Sequence, residues 1–441
     1  MRINTILLLL LTVSVSTLLS AQNTFSLQEA MDYASANSVE TRLSAIAQED
    51  ARQRIKETTS IGLPKIDGSL NYTHNYKIPV IIIPDFMNPT QTQQLEFGLP
   101  QNATASVGLQ TLLLDGQFFY GLRAARTYKS LVNAQSMATD RGVRYQVAKA
   151  YLGAWVIEEN LEIVQKNIVN LEGTLSETKA IYENGFAEQL DVDRLELSLR
   201  SLRTEYENLS RMTQVALNNL KFLMNYPIAD AIKLEENLDR LLLESKSEEI
   251  DFDVSPDVTE RAEYIVFDNS LAINEINVKR LKAGYWPNLT GFLNYQANLS
   301  RNKLFNSEEV GFIGAGAVGL QLNVPIFDGF LKKAQIQRAK LDLEEIRTQR
   351  DQFTQAAYTE AYNARIQLYN ARQNLISNEE SLDLANRIYD ITQIKYTEGV
   401  GSSVETTQAE RELYAIQAQL LESQFNLINA KIDLDNAIGN L

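Results

Sequence analysis

The stretch SVGLQTLLLDG, residues 106–116, decides how the chain is organised, because a near copy, AVGLQLNVPIFDG, follows at residues 317–329. The two VGLQ strings lie 211 residues apart, and the two DG dipeptides lie 213 apart. Two further pairs repeat in the same order: YENG 182–185 with YTEG 396–399, and LPKIDGSLNY 63–72 with WPNLTGFLNY 286–295. Self-similarity on this scale predicts two structural repeats with one order of elements.

The repeats define the predicted organisation of the chain. Residues 1–21 read as a secretory signal peptide, with Arg2 ahead of an apolar segment and two small residues at the expected cleavage point. We predict that the mature chain continues as a first repeat over 22–230, a linker rich in acidic residues over 225–257, and a second repeat over 257–441.

Each repeat contains two segments in which apolar and polar residues alternate. In the first segment, Ile66, Leu70 and Tyr72 alternate with Asp67 and Asn71. A period of two is typical of a β-strand with one apolar face. The predicted strands are 64–78, 103–114, 287–300 and 312–326. Roughly 9 to 11 residues suffice for a tilted strand to cross a bilayer, although a small soluble pair of hairpins would show the same alternation.

Aromatic residues favour the membrane alternative, because they lie along or at the ends of these strands, where interfacial girdles form. They are Tyr72, Tyr76, Trp286, Tyr295, Phe305 and Phe312. Four strands are too few to close a barrel, and lipid does not tolerate an open sheet edge. A membrane sheet would therefore have to be shared among identical chains.

The remaining sequence is predicted to be helical. It has no proline between Pro100 and Pro227 or after Pro325, and no glycine between Gly329 and Gly399. Long helices are predicted over 116–184 and 329–398, each about 100 Å at 1.5 Å per residue, with return helices over 188–224 and 403–438. Apolar residues at spacings of three and four give each rod a narrow stripe suited to packing on other helices.

Composition argues against several classes of function. The 441 residues carry 41 basic and 56 acidic side chains, and this balance gives little support for nucleic-acid binding. The absence of cysteine excludes disulfides, thiolate metal sites and a lipid-bearing N-terminal cysteine. His74 is the only histidine, and we assign it to packing or an interface rather than to metal binding. Because no phosphate-binding loop or metal-spaced cluster is evident, we expect neither an enzyme nor a bound cofactor.

These features, in this order and twice over, resemble the TolC family of outer-membrane efflux proteins across nearly the whole mature chain. The resemblance implies a mostly α fold with a small β part. Three chains would share a 12-stranded outer-membrane β-barrel that continues as a trimeric α-helical barrel into the periplasm. It also implies an exit duct of a tripartite efflux or type I secretion system. Such a duct passively conducts substrates from an inner-membrane pump through a periplasmic adaptor protein, and its outer surface contacts outer-membrane lipid.

The resemblance also assigns roles to the turns between the long and return helices. The residues implied to contact the adaptor are Gly185, Phe186, Gly399, Val400 and Gly401. An acid six positions after each turn glycine resembles the family's pore constriction, and here these acids are Asp191 and Glu405. Three copies of such a carboxylate would attract cations and repel anions. Two departures from the family pattern are Gln408 in place of a second acid and Gly401 in place of a basic residue.

Other roles remain open for these residues. Ser402 and Glu405 have capping-box spacing, and carboxylates near a helix start interact favourably with the helix dipole, so both acids could serve only as caps. Tyr182 and Tyr396 are possible partners at the constriction, with buried packing as the alternative.

For the loop 77–102 we expect the run from Val80 to Ile83 to pack over the barrel mouth, with a receptor role for phage or toxins as the alternative. For the whole chain, the competing hypothesis is an exported periplasmic coiled-coil scaffold without a pore. That hypothesis leaves the four alternating strands unexplained.

Overall fold

The computed structural model describes residues 23–84, 92–235, 239–247, 252, 257–303 and 311–441. The signal peptide predicted over 1–21 lies outside the described residues. The helices are α1 Leu27–Asn37, α2 Val39–Ser60, α3 Gly116–Glu183, α4 Gln189–Met224, α5 Asp239–Ser247, α6 Ala262–Ala283, α7 Leu331–Thr397 and α8 Ser403–Ile438. The strands are β1 Asn23–Phe25, β2 Lys65–His74, β3 Val80–Pro84, β4 Thr92–Glu96, β5 Gln101–Leu114, β6 Ile232–Leu234, β7 Asn288–Arg301 and β8 Ile313–Asn323. The fold is therefore mostly helical with a small β part.

Several elements end at points that the sequence pattern did not predict. β2 ends at His74 rather than 78. The Asn75 N–H still donates to the Pro100 carbonyl at 2.7 Å, but Pro100 has no N–H with which to continue the ladder. β8 ends at Asn323 rather than 326, since Pro325 has no N–H to donate. α7 begins at Leu331 rather than 329, because Gly329 and Phe330 both have positive φ angles.

The loop predicted over 77–102 contains a hairpin. β3 and β4 pair antiparallel, with Ile82 opposite Gln94. The side chains of Val80, Ile81 and Ile82 are exposed. Within the linker predicted over 225–257, the structure places β6 and α5. None of the described helices is long and apolar enough to cross a membrane.

The chain forms two compact units, and each takes segments from both repeats. The helical unit consists of the described residues of 1–47, 133–266 and 350–441, and the strand unit consists of those of 48–132 and 267–349.

The core of the helical unit centres on α3, where Tyr151 and Leu152 are fully buried. The Tyr151 hydroxyl donates to the Phe25 carbonyl at 2.8 Å and accepts from the Glu235 N–H at 3.1 Å. Phe25 ends β1 and Glu235 follows β6, and these two short strands pair in parallel. One buried hydroxyl thus ties both strands to the long helix.

The strand unit is built on a four-stranded antiparallel sheet in the order β2-β5-β7-β8. Opposite residues of an antiparallel pair lie on the same face, so the register shows which side chains share a surface. Two rows on one face are Ile66–Leu109–Leu293–Val318 and Gly68–Val107–Tyr295–Gly316. Two rows on the other are Ser69–Ser106–Gln296–Ala315 and Asn71–Thr104–Asn298–Ile313. The sheet therefore has one apolar face and one mainly polar face.

Polar side chains on the second face bond across the strands. Ser69 Oγ lies 2.8 Å from Ser106 Oγ, and Thr104 Oγ1 donates to Asn298 Oδ1 at 2.9 Å. Within the described chain, large side chains on the apolar face remain exposed to solvent. Leu70 is 76% exposed and Val318 is 81% exposed.

The pairing registers also reveal how the repeats correspond in space. Shifting β2 by 223 residues and β5 by 213 converts the pair Tyr72–Ala103 into the observed pair Tyr295–Gly316. The same shifts convert Lys65–Gln110 into Asn288–Asn323. The observed pairs fix only the combined shift of the two strands. The 223-residue separation of LPKIDGSLNY and WPNLTGFLNY gives the shift of β2, which leaves 213 for β5. On this alignment the structural repeat follows the DG separation, and the VGLQ strings lie two residues out of spatial register. Because a strand has a period of two, this displacement leaves every side chain on the same face.

The DG dipeptides mark the two junctions at which a strand gives way to a long helix. Asp115 accepts from the Gln117 N–H at 2.7 Å and caps α3, while Asp328 accepts from the Lys332 N–H at 3.1 Å at the start of α7. The glycines serve different purposes. A Cβ on Gly116 would lie 2.6 Å from Trp286 Cε3, whereas Gly329 has a φ of +62° and open space around it.

We predict that Gly116→Ala destabilises the protein by about 1 to 3 kcal/mol, because its Cβ would meet both the Trp286 ring and, at 3.0 Å, Ala283 Cβ. Gly121→Ala, in the same helix with nothing within 4 Å of the added Cβ, is the matched control and should stabilise by about 1 kcal/mol. Thermal unfolding in detergent measures both variants. Equal melting temperatures for the two would contradict the packing role assigned to Gly116.

Candidate constriction at the helical turns

The two turns after the long helices have the same backbone design. Gly185 has a φ of +81°, and Gly399 has a φ of +75°. The Phe186 N–H donates to the Ile181 carbonyl at 3.0 Å, and the Val400 N–H donates to the Lys395 carbonyl at 3.0 Å. These bonds form the left-handed helix termination that glycine favours. The side chains of Phe186 and Val400 are left strongly exposed at the tips.

Asp191 lies at the start of α4 and is largely engaged. Its Oδ2 accepts from the Glu188 N–H at 3.3 Å, and Arg194 Nη1 lies 4.0 Å from its Oδ1. Ser403 Oγ, at the start of α8, also donates to Asp191. The Asp191 side chain is only 17% exposed. The carboxylate therefore caps its own helix and joins the starts of the two return helices.

Glu405, the equivalent acid of the second repeat, has different surroundings. Ser402 Oγ accepts from the Val404 and Glu405 N–H groups at 3.2 and 3.3 Å, so the serine caps α8. The Glu405 and Gln408 side chains are exposed. The contact between Asp191 and Ser403 shows that α4 and α8 begin next to each other, so the two acids lie at neighbouring helix starts. Of the two acids, Glu405 is exposed to solvent and Asp191 is largely buried.

The tyrosines and Gly401 lie beside these turns. Tyr182 is exposed, whereas Tyr396 is half-buried and its hydroxyl oxygen is buried without a hydrogen-bond partner among the described residues. A Cβ on Gly401 would lie 3.0 Å from backbone atoms of Lys395 and Tyr396. The turn therefore closes too tightly on the end of α7 for a side chain at position 401 without a local shift.

A buried acid, Glu410, lies one turn further along α8 and was missed by the sequence analysis. It is 3% exposed, and the Tyr414 hydroxyl donates to its Oε1 at 2.9 Å. Tyr414 also reaches the carbonyl of Asn167 on α3, at 3.4 Å. In the sequence, Thr406, Ala409 and Leu413 are small or apolar and recur at helical spacings beside Glu410, and this was the one signal that it lies on the packed face.

The burial of Glu410 changes its acidity. Loss of hydration raises the pKa of the Glu410 carboxyl, and the hydrogen bond from Tyr414 and the charge of Arg411 only partly oppose this rise. The pKa values of Tyr389, on α7, and of Tyr414 are also raised, by burial first and by the nearby Glu410 second. Within the described residues, no group of three or more His, Asp or Glu side chains is placed to hold a metal ion.

We predict that Glu410→Gln stabilises the helical unit at neutral pH. Because the folded-state pKa is raised, the contribution of the protonated acid is fully present below the ordinary value of 4.5 and is lost as the pH rises through the folded-state pKa. The gain from the substitution should therefore shrink to nothing as the pH falls below about 4.5. Hydrogen exchange of α8 against pH measures this dependence. The exposed Glu412→Gln is the control, and an equal, pH-independent gain in both variants would contradict the prediction.

Solved structures with the same fold are outer-membrane proteins. The outer membrane protein VceC of Vibrio cholerae has a TM-score of 0.71 with 17% identity, covering 94% of this chain and 96% of that one. The CmeC outer membrane channel of Campylobacter jejuni has a TM-score of 0.73 with 18% identity, covering 94% and 85%. The fold is therefore that of outer-membrane channels.

Sequence comparison agrees with the fold. Residues 275–440 match the family model described as outer membrane efflux protein. The outer membrane protein TolC of Vibrio cholerae is 24% identical, covering 98% of this chain and 95% of that protein. The toluene efflux pump outer membrane protein TtgC of Pseudomonas putida is 23% identical, covering 79% and 71%. Over most of its length the chain is therefore similar to outer-membrane efflux proteins, and the resemblance to the TolC family is confirmed.

Proposed function

We propose that the protein is the outer-membrane exit duct of a tripartite efflux or type I secretion system. Three copies share one barrel, and the duct extends from the outer membrane into the periplasm after cleavage of the signal peptide, without a lipid anchor. It conducts passively, because a periplasmic adaptor and an inner-membrane pump deliver the substrate and supply the energy. The similarity to the toluene efflux pump outer membrane protein TtgC supports this role.

The observation that carries the proposal is the exposed apolar face of the four-stranded sheet. Exposed branched or aromatic side chains lie on this face in all four strands: Ile66 and Leu70 in β2, Val107 in β5, Tyr295 in β7 and Val318 in β8. In water, an apolar surface costs roughly 25 cal/mol per Å². Hydrocarbon would cover this face at no such cost, while the polar face with Ser69 and Thr104 would line an aqueous interior.

The edges of the sheet supply the argument for shared assembly. β2 and β8 each pair with only one neighbour among the described strands. In hydrocarbon every backbone N–H and C=O needs a hydrogen bond, and an unsatisfied group costs several kcal/mol. Four strands are fewer than the roughly eight of the smallest barrels. Pairing β8 of one copy with β2 of the next removes both edges, and three copies give 12 strands.

The tips suit the proposed contact with the adaptor. Phe186 and Val400 are large apolar side chains held outward by the helix terminations at Gly185 and Gly399. Exposed apolar residues at a rigid turn are suited to binding a protein partner. The constriction would lie just behind them, with Glu405 as its freer charge.

The first test separates a shared duct from a scaffold without a pore. We expect the full chain to require detergent, to have the mass of three copies, and to produce discrete conductance steps in a planar bilayer. The physical reason is that the apolar face and both open edges are satisfied only in the closed assembly. Single copies that stay soluble after lysis and give no conductance would favour the scaffold.

The second test concerns the constriction. Glu405→Ala should lower the preference for cations over anions in bilayer recordings, because it removes one exposed carboxylate per copy. Glu405→Asp keeps the charge and is the matched control, and Gln408→Glu should raise the preference by adding an acid on the same helix. Asp191→Ala should have a smaller effect than Glu405→Ala, since Asp191 is largely shielded. Unchanged selectivity in all of these variants would reject a pore role for the two acids.

A further inference from the structure

The junction between β5 and α3 shows how neighbouring repeats pack. The start of α3 lies against the end of α6: Gly116 faces Trp286 and Ala283, and the Gln117 side chain reaches Gly284. The adjoining strands β5 and β7 pair with Val107 opposite Tyr295 and Leu109 opposite Leu293. This contact joins the β5–α3 junction of the first repeat to the α6–β7 junction of the second.

The same two shifts, 213 and 223 residues, predict which residues would form the equivalent contact at the end of β8 and the start of α7. Advancing Gly116 and Gln117 by 213 residues gives Gly329 and Phe330. Moving Trp286 and Gly284 back by 223 gives Leu63 and Ile61, at the entry of β2. β2 and β8 are at opposite edges of the sheet, so within one chain this second contact is not made.

Both halves of the missing contact are exposed and apolar. Phe327, Phe330 and Leu331 follow β8, and Ile61 and Leu63 precede β2, each with about half or more of its surface exposed. The Phe327 and Phe330 rings pack edge to face at 5.4 Å. Phe330 has a φ of +67°, a conformation that is strained for a bulky residue.

We propose, resting on the shared barrel of the proposed function, that β8 of one copy pairs with β2 of the next in one defined register. Leu320 lies opposite Tyr72 of the next copy, and Leu322 lies opposite Leu70. Phe330 packs on Ile61 of the next copy. These two residues are the repeat equivalents of Gln117 and Gly284, which are in contact within one chain. The occupant of both the strand edge and the aromatic turn is thus a second copy of this chain.

The faces of the two strands agree with this register. Leu320 and Leu322 lie on the apolar face, as do Tyr72 and Leu70, so the apolar surface continues without a break. Between them Gln321 meets Asn71, and both belong to the other face. A slip of one residue would place leucines among polar side chains. A slip of two keeps the faces but moves the aromatic turn roughly 6.6 Å from Ile61, at 3.3 Å per residue.

Engineered cysteine pairs test the register without background, because the chain contains no cysteine. Leu320→Cys with Tyr72→Cys should shift the monomer band to dimer and trimer bands on non-reducing denaturing gels after brief oxidation in membranes. Leu320→Cys with Leu70→Cys, on the same face, is the control for a slip of two. Its side chains would be about 7–8 Å apart instead of about 5 Å, and it should link more slowly.

The outcomes separate this register from the proposed function. Faster linking of the Leu320 and Tyr72 pair supports the register. If the cysteine-free protein has the mass of three copies and conducts, but the slipped pair links faster or neither pair links, the register is wrong and the duct stands. A cysteine-free protein that exists only as single copies overturns both.

The aromatic contact has its own measurement. Phe330→Asp should lower the temperature at which trimers dissociate in detergent, and adding Ile61→Lys should restore part of the loss by pairing opposite charges between copies. Phe119→Asp, another exposed phenylalanine in the first turn of a long helix, is the matched control. No rescue by Ile61→Lys, with an equal loss in the Phe119 variant, would overturn the contact.

Discussion

The two edges of the four-stranded sheet need hydrogen-bond partners, while its apolar face needs to be removed from water. Among the described residues, β2 and β8 each have a neighbouring strand on one side only, and large side chains of the apolar face are exposed. Water could satisfy the edges but not the face, and lipid could satisfy the face but not the edges. In the proposed duct, closure with other copies satisfies both, so the proposed oligomer would be part of the fold's energetics rather than an addition to it.

The junctions between strand and helix show why the chain repeats itself. Asp115 directly follows β5 and starts α3 at once, because its carboxylate caps the first free N–H groups. Asp328 accepts from an N–H in the first turn of α7, five residues after β8 ends. The following glycine admits a neighbouring helix end at Gly116 and a left-handed turn at Gly329. The same dipeptide therefore solves two different steric problems, one inside the chain and one at its exposed edge.

The sequence predicted much of the fold because the relevant signals are local. Alternation at residues such as Ile66 and Leu70 defines faces, and long stretches without proline or glycine define rods. Register depends on pairing between distant segments, so the two-residue offset of the VGLQ strings could not be read from the strings themselves. The sequence predicts a loop where β3 and β4 form a hairpin, and it does not single out Glu410, because an acid on a packed face departs from the usual hydrophobic pattern.

The candidate constriction departs from repeat symmetry in its electrostatics. Asp191 accepts hydrogen bonds from Glu188 and Ser403, whereas Glu405 is exposed. The helix dipole acts on both acids, since each lies in the first turn of its helix. Asp191 differs from Glu405 because hydrogen bonds and burial shield its carboxylate. A basic side chain at position 401 would collide with the backbone of Lys395 and Tyr396, so the turn itself disfavours the countercharge implied by the family pattern. Of the two candidate constriction acids, Glu405 therefore carries the more exposed charge in the proposed duct.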